Sequence, residues 1–269
     1  MILDFHNHIY PENVARAVIH SLKSEMGLSA YGTGTASGLR AEMKASGVSA
    51  CAVLGVAVSP ELVEPTNRWI LKQGGDGFIP VGSIHPFYEN YRPLIKELKK
   101  AGVRGVKFHP VFQNFRPDDE RVFPLYEELI HEDMFLIFHS GPGLAMKPGE
   151  EVMGTPERMA RLLDVFPKMT LVAAHFGGFR MLEEARKHLI GKNVYIDTSY
   201  PPGLCFESKD RVLDMIQRHN PARILFGTDT PYASQKRDAE YILQLPISTE
   251  IKEKILWKNG CRLLGLPEA

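Results

Sequence analysis

The segment ILDFHNH (2–8) is an apolar run that ends in two histidines separated by one residue. The run predicts a β-strand, and because side chains alternate between the faces of a strand, His6 and His8 point the same way. Two imidazoles on one side of a strand end can hold one metal ion. Two polar residues at a solvated turn would give the same H-x-H motif, so the motif alone leaves both interpretations open.

Seven further segments resemble the first in length and apolar character. They are VSACAVLG (48–55), FIPVGSI (78–84), VRGVKFH (103–109), MFLIFH (134–139), TLVAAH (170–175), NVYIDTS (193–199) and RILFGTD (223–229). Several are apolar almost throughout, which is typical of parallel strands covered on both faces. Amphipathic stretches separate them, among them the predicted helices 91–102, 155–166 and 248–266.

Eight strands, each followed by a helical stretch, predict an α/β protein of the (β/α)8 TIM-barrel class, with residues 1–269 forming a single domain. The first crossover, residues 11–46, contains two helical pieces around the Gly-rich sequence AYGTGTASG (30–38). This sequence lacks the G-x-G-x-x-G spacing behind a strand, so we expect a flexible loop and not a phosphate-binding one.

The bulk composition narrows the function class. The 269 residues carry 32 basic and 32 acidic side chains and no basic block, which gives no electrostatic reason to expect nucleic acid or anionic membrane as a partner. The 3 cysteines form no C-x-x-C pair, which fits a reducing compartment. The longest mostly apolar stretch, residues 48–58, is far shorter than the roughly 20 residues of a membrane helix. We therefore expect a cytoplasmic protein.

Six of the ten histidines fall at predicted strand ends, where the chemistry of such barrels takes place. They are His6, His8, His85, His109, His139 and His175, and Asp229 ends the eighth strand. His85 and His109 precede prolines and so have a local explanation as strand-to-loop corners, and Asp229 alone is a common N-cap. Together, however, imidazoles and a carboxylate at one rim suit zinc or another first-row divalent ion.

Several of these motifs, taken in order, resemble those of the amidohydrolase superfamily. GVKFHP (105–110), FHSG (138–141), AAHFGG (173–178), GTDTP (227–231) and KNGCRLLGL (258–266) are similar to its amidohydrolase-related branch. That branch contains metal-dependent hydrolases, lactonases and decarboxylases such as aminocarboxymuconate-semialdehyde decarboxylase. A distorted barrel of the polymerase-and-histidinol-phosphatase type also begins with D-x-H-x-H, but a further histidine is expected after its late Asp, where this chain has Thr230 and Pro231.

The resemblance implies specific roles for the rim residues. His6, His8, His139 and Asp229 would bind one divalent metal ion, with zinc expected. His175 would lie beside the bound water or polarise a carbonyl, and Asp229 would also accept the proton. Lys107 would contact substrate or, if carbamylated, bridge a second metal ion. A homodimer is also expected from the resemblance.

The expected function is a metal-dependent hydrolase that attacks an amide, lactone or related carbonyl of a small-molecule substrate. A non-oxidative decarboxylase of an aromatic or enoic acid is the alternative, and a barrel that binds without catalysis is the third hypothesis. The chain is short for the decarboxylases of the branch, which favours hydrolysis. Substrate contacts are predicted at His109, Arg116, Arg180 and Tyr200, although exposed loop charge or loop packing also explains the last three.

Overall fold

The computed structural model describes residues 1–147 and 149–268. Its strands are β1 (Leu3–Asn7), β2 (Ala50–Leu54), β3 (Phe78–Ser83), β4 (Gly105–Phe108), β5 (Phe135–Phe138), β6 (Leu171–Ala173), β7 (Tyr195–Asp197) and β8 (Ile224–Leu225). They are hydrogen-bonded neighbours in chain order. β1 pairs in parallel with β2, and β3 to β7 pair in parallel in succession. Each of the eight predicted segments contains a strand, which confirms the predicted α/β class.

Helices alternate with these strands. They are α1 (Glu12–Met26), α2 (Ala36–Ser46), α3 (Val63–Leu71), α4 (Tyr91–Lys100), α5 (Phe123–His131), α6 (Pro156–Val165), α7 (Leu182–His188), α8 (Lys209–Arg218), α9 (Gln235–Gln244), α10 (Thr249–Glu253) and α11 (Asn259–Leu264). The predicted helix 155–166 corresponds to α6, which is capped by the Thr155 side chain as it accepts a hydrogen bond from the Arg158 amide, with Pro156 in the first turn. None of the helices in the described part of the chain is long and apolar enough to cross a membrane.

The predicted helix 248–266 contains a wider turn. A π-helical segment, Lys254–Lys258, separates α10 from α11. The Ile255 carbonyl in this segment accepts a hydrogen bond of 2.9 Å from the amide of Phe226, just after β8. The wider turn thus supplies a hydrogen-bond acceptor to the segment that leads to Asp229.

The chain divides into two compact units. Unit one comprises Met1–Val53, Gly75–Ile79 and Asp197–Ala269, and unit two comprises Leu54–Gly74 and Pro80–Ile196. Each unit is built from segments that are distant in sequence, and the strands β2, β3 and β7 contribute residues to both. The expectation of a single domain stays a prediction.

In unit one, the backbone after β8 is bonded to β1. The Phe5 amide donates to the Phe226 carbonyl, and the His8 amide donates to the Thr230 carbonyl, both at 2.7 Å. The Asp229 amide in turn donates to the His6 carbonyl at 2.8 Å. The residues of the H-x-H motif and the residues of GTDTP therefore lie side by side.

In unit two, the strands β4 and β5 bury an aromatic cluster beneath the helices. The rings of Phe108 and Phe138 stack at 5.1 Å, and the Tyr126 ring of α5 meets each of them edge-on at 5.7 Å. Because side chains alternate along a strand, this packing of Phe108 places Lys107 on the opposite face of β4. Lys107 is also completely buried.

Asn67 of α3 forms a polar contact that fixes the end of β3. Its side chain accepts a hydrogen bond from the Ser83 amide at 3.0 Å and donates to the Ser83 carbonyl at 2.7 Å. Since Asn67 is buried, both backbone groups depend on it.

We predict that Asn67→Ala lowers the free energy of unfolding by about 3 kcal/mol, because it leaves two buried backbone groups unpaired. Denaturant unfolding followed by circular dichroism measures the change. Asn193→Ala, at an exposed asparagine before β7, is the matched control and should change stability little. Equal stabilities of the two variants would contradict this role of Asn67.

Candidate metal centre

Unit one brings together three of the four predicted metal ligands. Asp229 Oδ1 lies 3.4 Å from His6 Nε2 and 3.2 Å from His8 Nε2. All three residues are buried. Two donors bound to one tetrahedral ion at about 2.0–2.1 Å lie about 3.3 Å apart, so these separations suit a shared ion.

The orientation of the His6 ring is set from its other side. His6 Nδ1 lies 2.8 Å from Asp197 Oδ2, and both side chains have no exposed surface. Because an ionised carboxylate only accepts hydrogen bonds, this contact places the proton on Nδ1 and directs the Nε2 lone pair towards Asp229. Ser199 adds a hydroxyl 3.1 Å from His6 Nδ1 and donates to Asp197 Oδ1 at 2.5 Å. A carboxylate behind a histidine is the usual support of a metal-bound imidazole.

A second buried carboxyl, that of Asp4, ties the H-x-H strand to the segment before Asp229. Asp4 accepts hydrogen bonds from the His6 amide, from the amide and hydroxyl of Thr228, and from the Gln235 side chain. Burial raises the pKa of Asp4 to about 7, and these hydrogen bonds oppose the rise. The three contacts with Thr228 and Gln235 join the start of the chain to residues more than two hundred positions later.

The backbone at Asp229 and at His175 adopts an uncommon conformation. Asp229 has φ 66° and His175 has φ 61°, values that residues other than glycine rarely take. Such strained residues cluster at functional sites, where the surrounding contacts hold them. The Asp229 carbonyl, for example, accepts a 2.7 Å hydrogen bond from the Tyr232 amide.

Unit two brings together three predicted site histidines. His139 Nδ1 lies 2.7 Å from His175 Nε2, and the rings of His109 and His139 stack with their centroids 4.1 Å apart. The Pro142 carbonyl, 3.0 Å from His139 Nε2, can only accept a hydrogen bond, so it places the His139 proton on Nε2. The Nδ1 lone pair of His139 therefore points to the side where His175 lies.

Two tyrosines flank His8 in unit one. The Tyr10 ring stacks near the His8 ring at 6.3 Å, the Tyr232 ring meets it edge-on at 6.2 Å, and the two hydroxyls are 3.1 Å apart. Burial raises the pKa of Tyr232 to about 12 and raises that of Tyr10 well above its usual value. Both phenols therefore stay protonated at neutral pH, and one of the two hydroxyls donates a hydrogen bond to the other.

The remaining predicted residues have different surroundings. Arg116 is exposed and forms a 2.8 Å ion pair with Glu151. The guanidinium of Arg180, also exposed, lies 4.9 Å from the centroid of the Phe179 ring. Tyr200 is buried in unit one, and its carbonyl accepts a hydrogen bond from Gly203. The predicted substrate contacts at Arg116, Arg180 and Tyr200 therefore stay predictions.

The donor set fits a divalent first-row metal ion. Neutral imidazoles and a carboxylate are ligands of zinc and of similar ions, and the His6 tautomer set by Asp197 leaves the Nε2 lone pair of His6 for such an ion. Sequence analysis missed Asp197 and Asp4. The position of Asp197 at the end of β7 was the one available signal.

The family comparison agrees with this class of site. A family model described as amidohydrolase matches residues 4–266. The match covers nearly the whole sequence, and the chain therefore belongs to the amidohydrolase family, as its motifs predicted.

Solved structures with similar chains support the fold. An uncharacterised TIM-barrel protein from Bordetella bronchiseptica is 24% identical over 98% of both chains, with a TM-score of 0.75. A 5-carboxyvanillate decarboxylase from Novosphingobium aromaticivorans, with bound manganese and 3-methoxy-4-hydroxy-5-nitrobenzoic acid, is 14% identical over 99% of this chain and 97% of that one, with a TM-score of 0.72. A 2,6-dihydroxybenzoate decarboxylase from Rhizobium is 15% identical over 98% of both chains, with a TM-score of 0.73. These likenesses confirm the predicted (β/α)8 barrel. A comparison with curated proteins found no match.

We predict that Asp197→Asn weakens the affinity for zinc or manganese by about 10- to 100-fold, because the amide no longer fixes the His6 tautomer. Isothermal titration calorimetry, in which zinc or manganese is added to the metal-free protein, measures the affinity. Asp210→Asn, at an exposed position of α8, is the control and should bind metal as the wild type does. Unchanged affinity in Asp197→Asn would contradict the positioning role.

Proposed function

We propose that the protein is a metal-dependent hydrolase that cleaves an amide, a lactone or a related carbonyl compound. The observation that carries the proposal is the convergence of His6, His8 and Asp229, with the His6 tautomer fixed by Asp197. Membership of the amidohydrolase family supports it.

We further propose that His6, His8, His139 and Asp229 hold one divalent ion, with zinc expected. Such an ion lowers the pKa of bound water and polarises a carbonyl group, which makes water reactive near neutral pH. The manganese in the decarboxylase from Novosphingobium aromaticivorans makes that ion the second candidate. Lys107 is proposed to contact substrate, and it would hold a second ion only as a carbamate.

In this proposal, side chains of the protein carry out the proton transfer. Asp229 is proposed to accept the proton of the attacking water through its carboxylate and to return it to the leaving group. The bond from its amide to the His6 carbonyl holds its backbone beside the metal ligands. His175, whose Nε2 lies 2.7 Å from His139 Nδ1, is proposed to polarise the substrate carbonyl. His109, Arg180 and Tyr200 are proposed as further substrate contacts.

A decarboxylase acting on an aromatic or enoic acid is the second candidate. The observation that favours it is the likeness to two decarboxylases over nearly the full length of both chains. Hydrolysis is the first candidate because Arg116, one of the predicted substrate contacts that could hold a carboxylate, is paired with Glu151. We also propose a cytoplasmic homodimer that acts on a small molecule.

We predict that His8→Ala loses most of its bound metal and its activity while keeping its fold, because it removes one of the converging donors. Elemental analysis of protein purified without chelator or affinity metal measures the metal, and circular dichroism checks the fold. His20→Ala, at an exposed histidine of α1, should keep both metal and activity. A His8→Ala protein with full metal content would refute the assignment of this ligand.

We predict that Asp229→Asn keeps part of its metal but turns over about 100-fold more slowly, because it cannot accept a proton. Assays of lactone and amide hydrolysis in the metal-loaded protein measure the rate over a range of pH. An unchanged pH–rate profile would exclude Asp229 as the proton acceptor. Carbon dioxide released from aromatic acids, with no hydrolysis of any carbonyl substrate, would instead establish the decarboxylase.

A further inference from the structure

Unit two contains an open groove at the ends of β4 and β5. Its volume is about 380 Å³, and its walls come from the loop after β4 and from the loop after β5. Most of the side chains that form these walls are apolar: Val111, Phe112, Ala145, Met146 and Met153. No residue of the metal site itself lines it, so the groove is a separate feature.

The charged residues of the groove are already engaged with other residues of the protein. Glu151 accepts hydrogen bonds from Arg116 at 2.8 Å and from Arg158 at 2.9 Å. Glu150 accepts one from the Lys147 amide at 3.0 Å. Because two guanidinium groups compensate the charge of Glu151, the wall offers a ligand an apolar surface and one carboxylate, that of Glu150, which disfavours an anion.

A column of three rings connects the groove to a proposed metal ligand. Phe112 lies in the groove wall with 54% of its surface exposed. Its ring stacks on that of His109 at 3.9 Å with an interplanar angle of 11°, and His109 stacks on His139 at 4.1 Å with an angle of 13°. One ring thus separates an exposed apolar wall from His139.

The wall is held by Gln113, a buried residue that follows Phe112 in the sequence. Its side chain accepts a hydrogen bond from the His109 amide at 2.8 Å. It also donates to the Ala57 carbonyl at 2.9 Å and to the Ile84 carbonyl at 3.0 Å, after β2 and β3. Three loops are thereby joined at one amide, which holds the wall formed by the loop after β4 without the help of a ligand.

We infer that this groove binds an uncharged aryl or alkyl part of the substrate while the reacting carbonyl is near His139. The inference rests on the proposed hydrolase function and adds the substrate class: carbonyl compounds with a neutral apolar substituent. Phe112 and Met153 supply apolar contact, and the Glu150 carboxylate disfavours anionic substituents. Phe112 is accordingly a specificity residue and not a catalytic one.

Two fluorescent probes with the same skeleton test the groove without relying on turnover. N-phenyl-1-naphthylamine is neutral, and 8-anilinonaphthalene-1-sulfonate carries one negative charge. We predict that the neutral probe binds both metal-free and metal-loaded protein, about tenfold more tightly than the sulfonate. Phe112→Ala should weaken the binding of the neutral probe by about tenfold, and Met153→Gln should do so to a similar extent.

Phe87→Ala is the matched control, because Phe87 is another exposed phenylalanine that lies next to a histidine ring, that of His85. It should bind the neutral probe as the wild type does. Equal binding by Phe112→Ala, Met153→Gln and wild type would overturn the inference, as would tighter binding of the sulfonate.

Kinetics with γ-butyrolactone and γ-nonanoic lactone distinguish binding of the substituent in the groove from the hydrolysis reaction itself. Phe112→Ala should raise KM for the alkyl-substituted lactone more than KM for γ-butyrolactone, which has no alkyl substituent. A change of KM for neither lactone, with both turned over, would overturn the inference. If the probes bind as predicted while no lactone or amide is hydrolysed, the groove is supported and the proposed hydrolase function fails.

Discussion

The contact between His6 Nδ1 and the Asp197 carboxylate is the constraint on which the metal centre depends. Both side chains are completely buried, and a buried carboxylate is costly unless it is paired and hydrogen-bonded. The imidazole and the Ser199 hydroxyl meet that need. The same contact fixes the His6 tautomer, so one interaction both stabilises the buried charge and prepares the ring for a metal ion. Neither role can be changed without the other.

Buried amide and carboxyl side chains repeat this strategy within each unit. In unit one, the Asp4 carboxyl collects donors from His6, Thr228 and Gln235. In unit two, the Gln113 amide links the ends of three strands. In a low-dielectric interior such networks hold their members in a single arrangement, because any alternative leaves a polar group unpaired. The side chains of the candidate site are therefore positioned by buried residues that are not themselves predicted site residues.

Much of the fold and part of the site followed from local sequence patterns. Apolar runs and their ends located all eight strands, and alternation placed His6 and His8 on one side of the first strand, where both lie beside Asp229. The observed strands are shorter than predicted, however, because His139, His175 and Asp229 lie beyond the last paired residue. The left-handed backbone of His175 and Asp229 has no signature in their side chains. Asp197 and Gln113 were missed because their partners are remote in sequence: for Asp197, His6 lies 191 residues away.

The charge balance in unit two also bears on the choice between the two reactions. A carboxylate bound in the groove requires a cation, and the two arginines that bind the groove residue Glu151, Arg116 and Arg158, are already paired with it. Transferring Arg116 to a substrate carboxylate would leave Glu151 with Arg158 alone and would place an anion beside Glu150. A neutral carbonyl compound requires no such exchange of partners. Electrostatics and the apolar wall thus favour the same substrate class, although they arise from different residues.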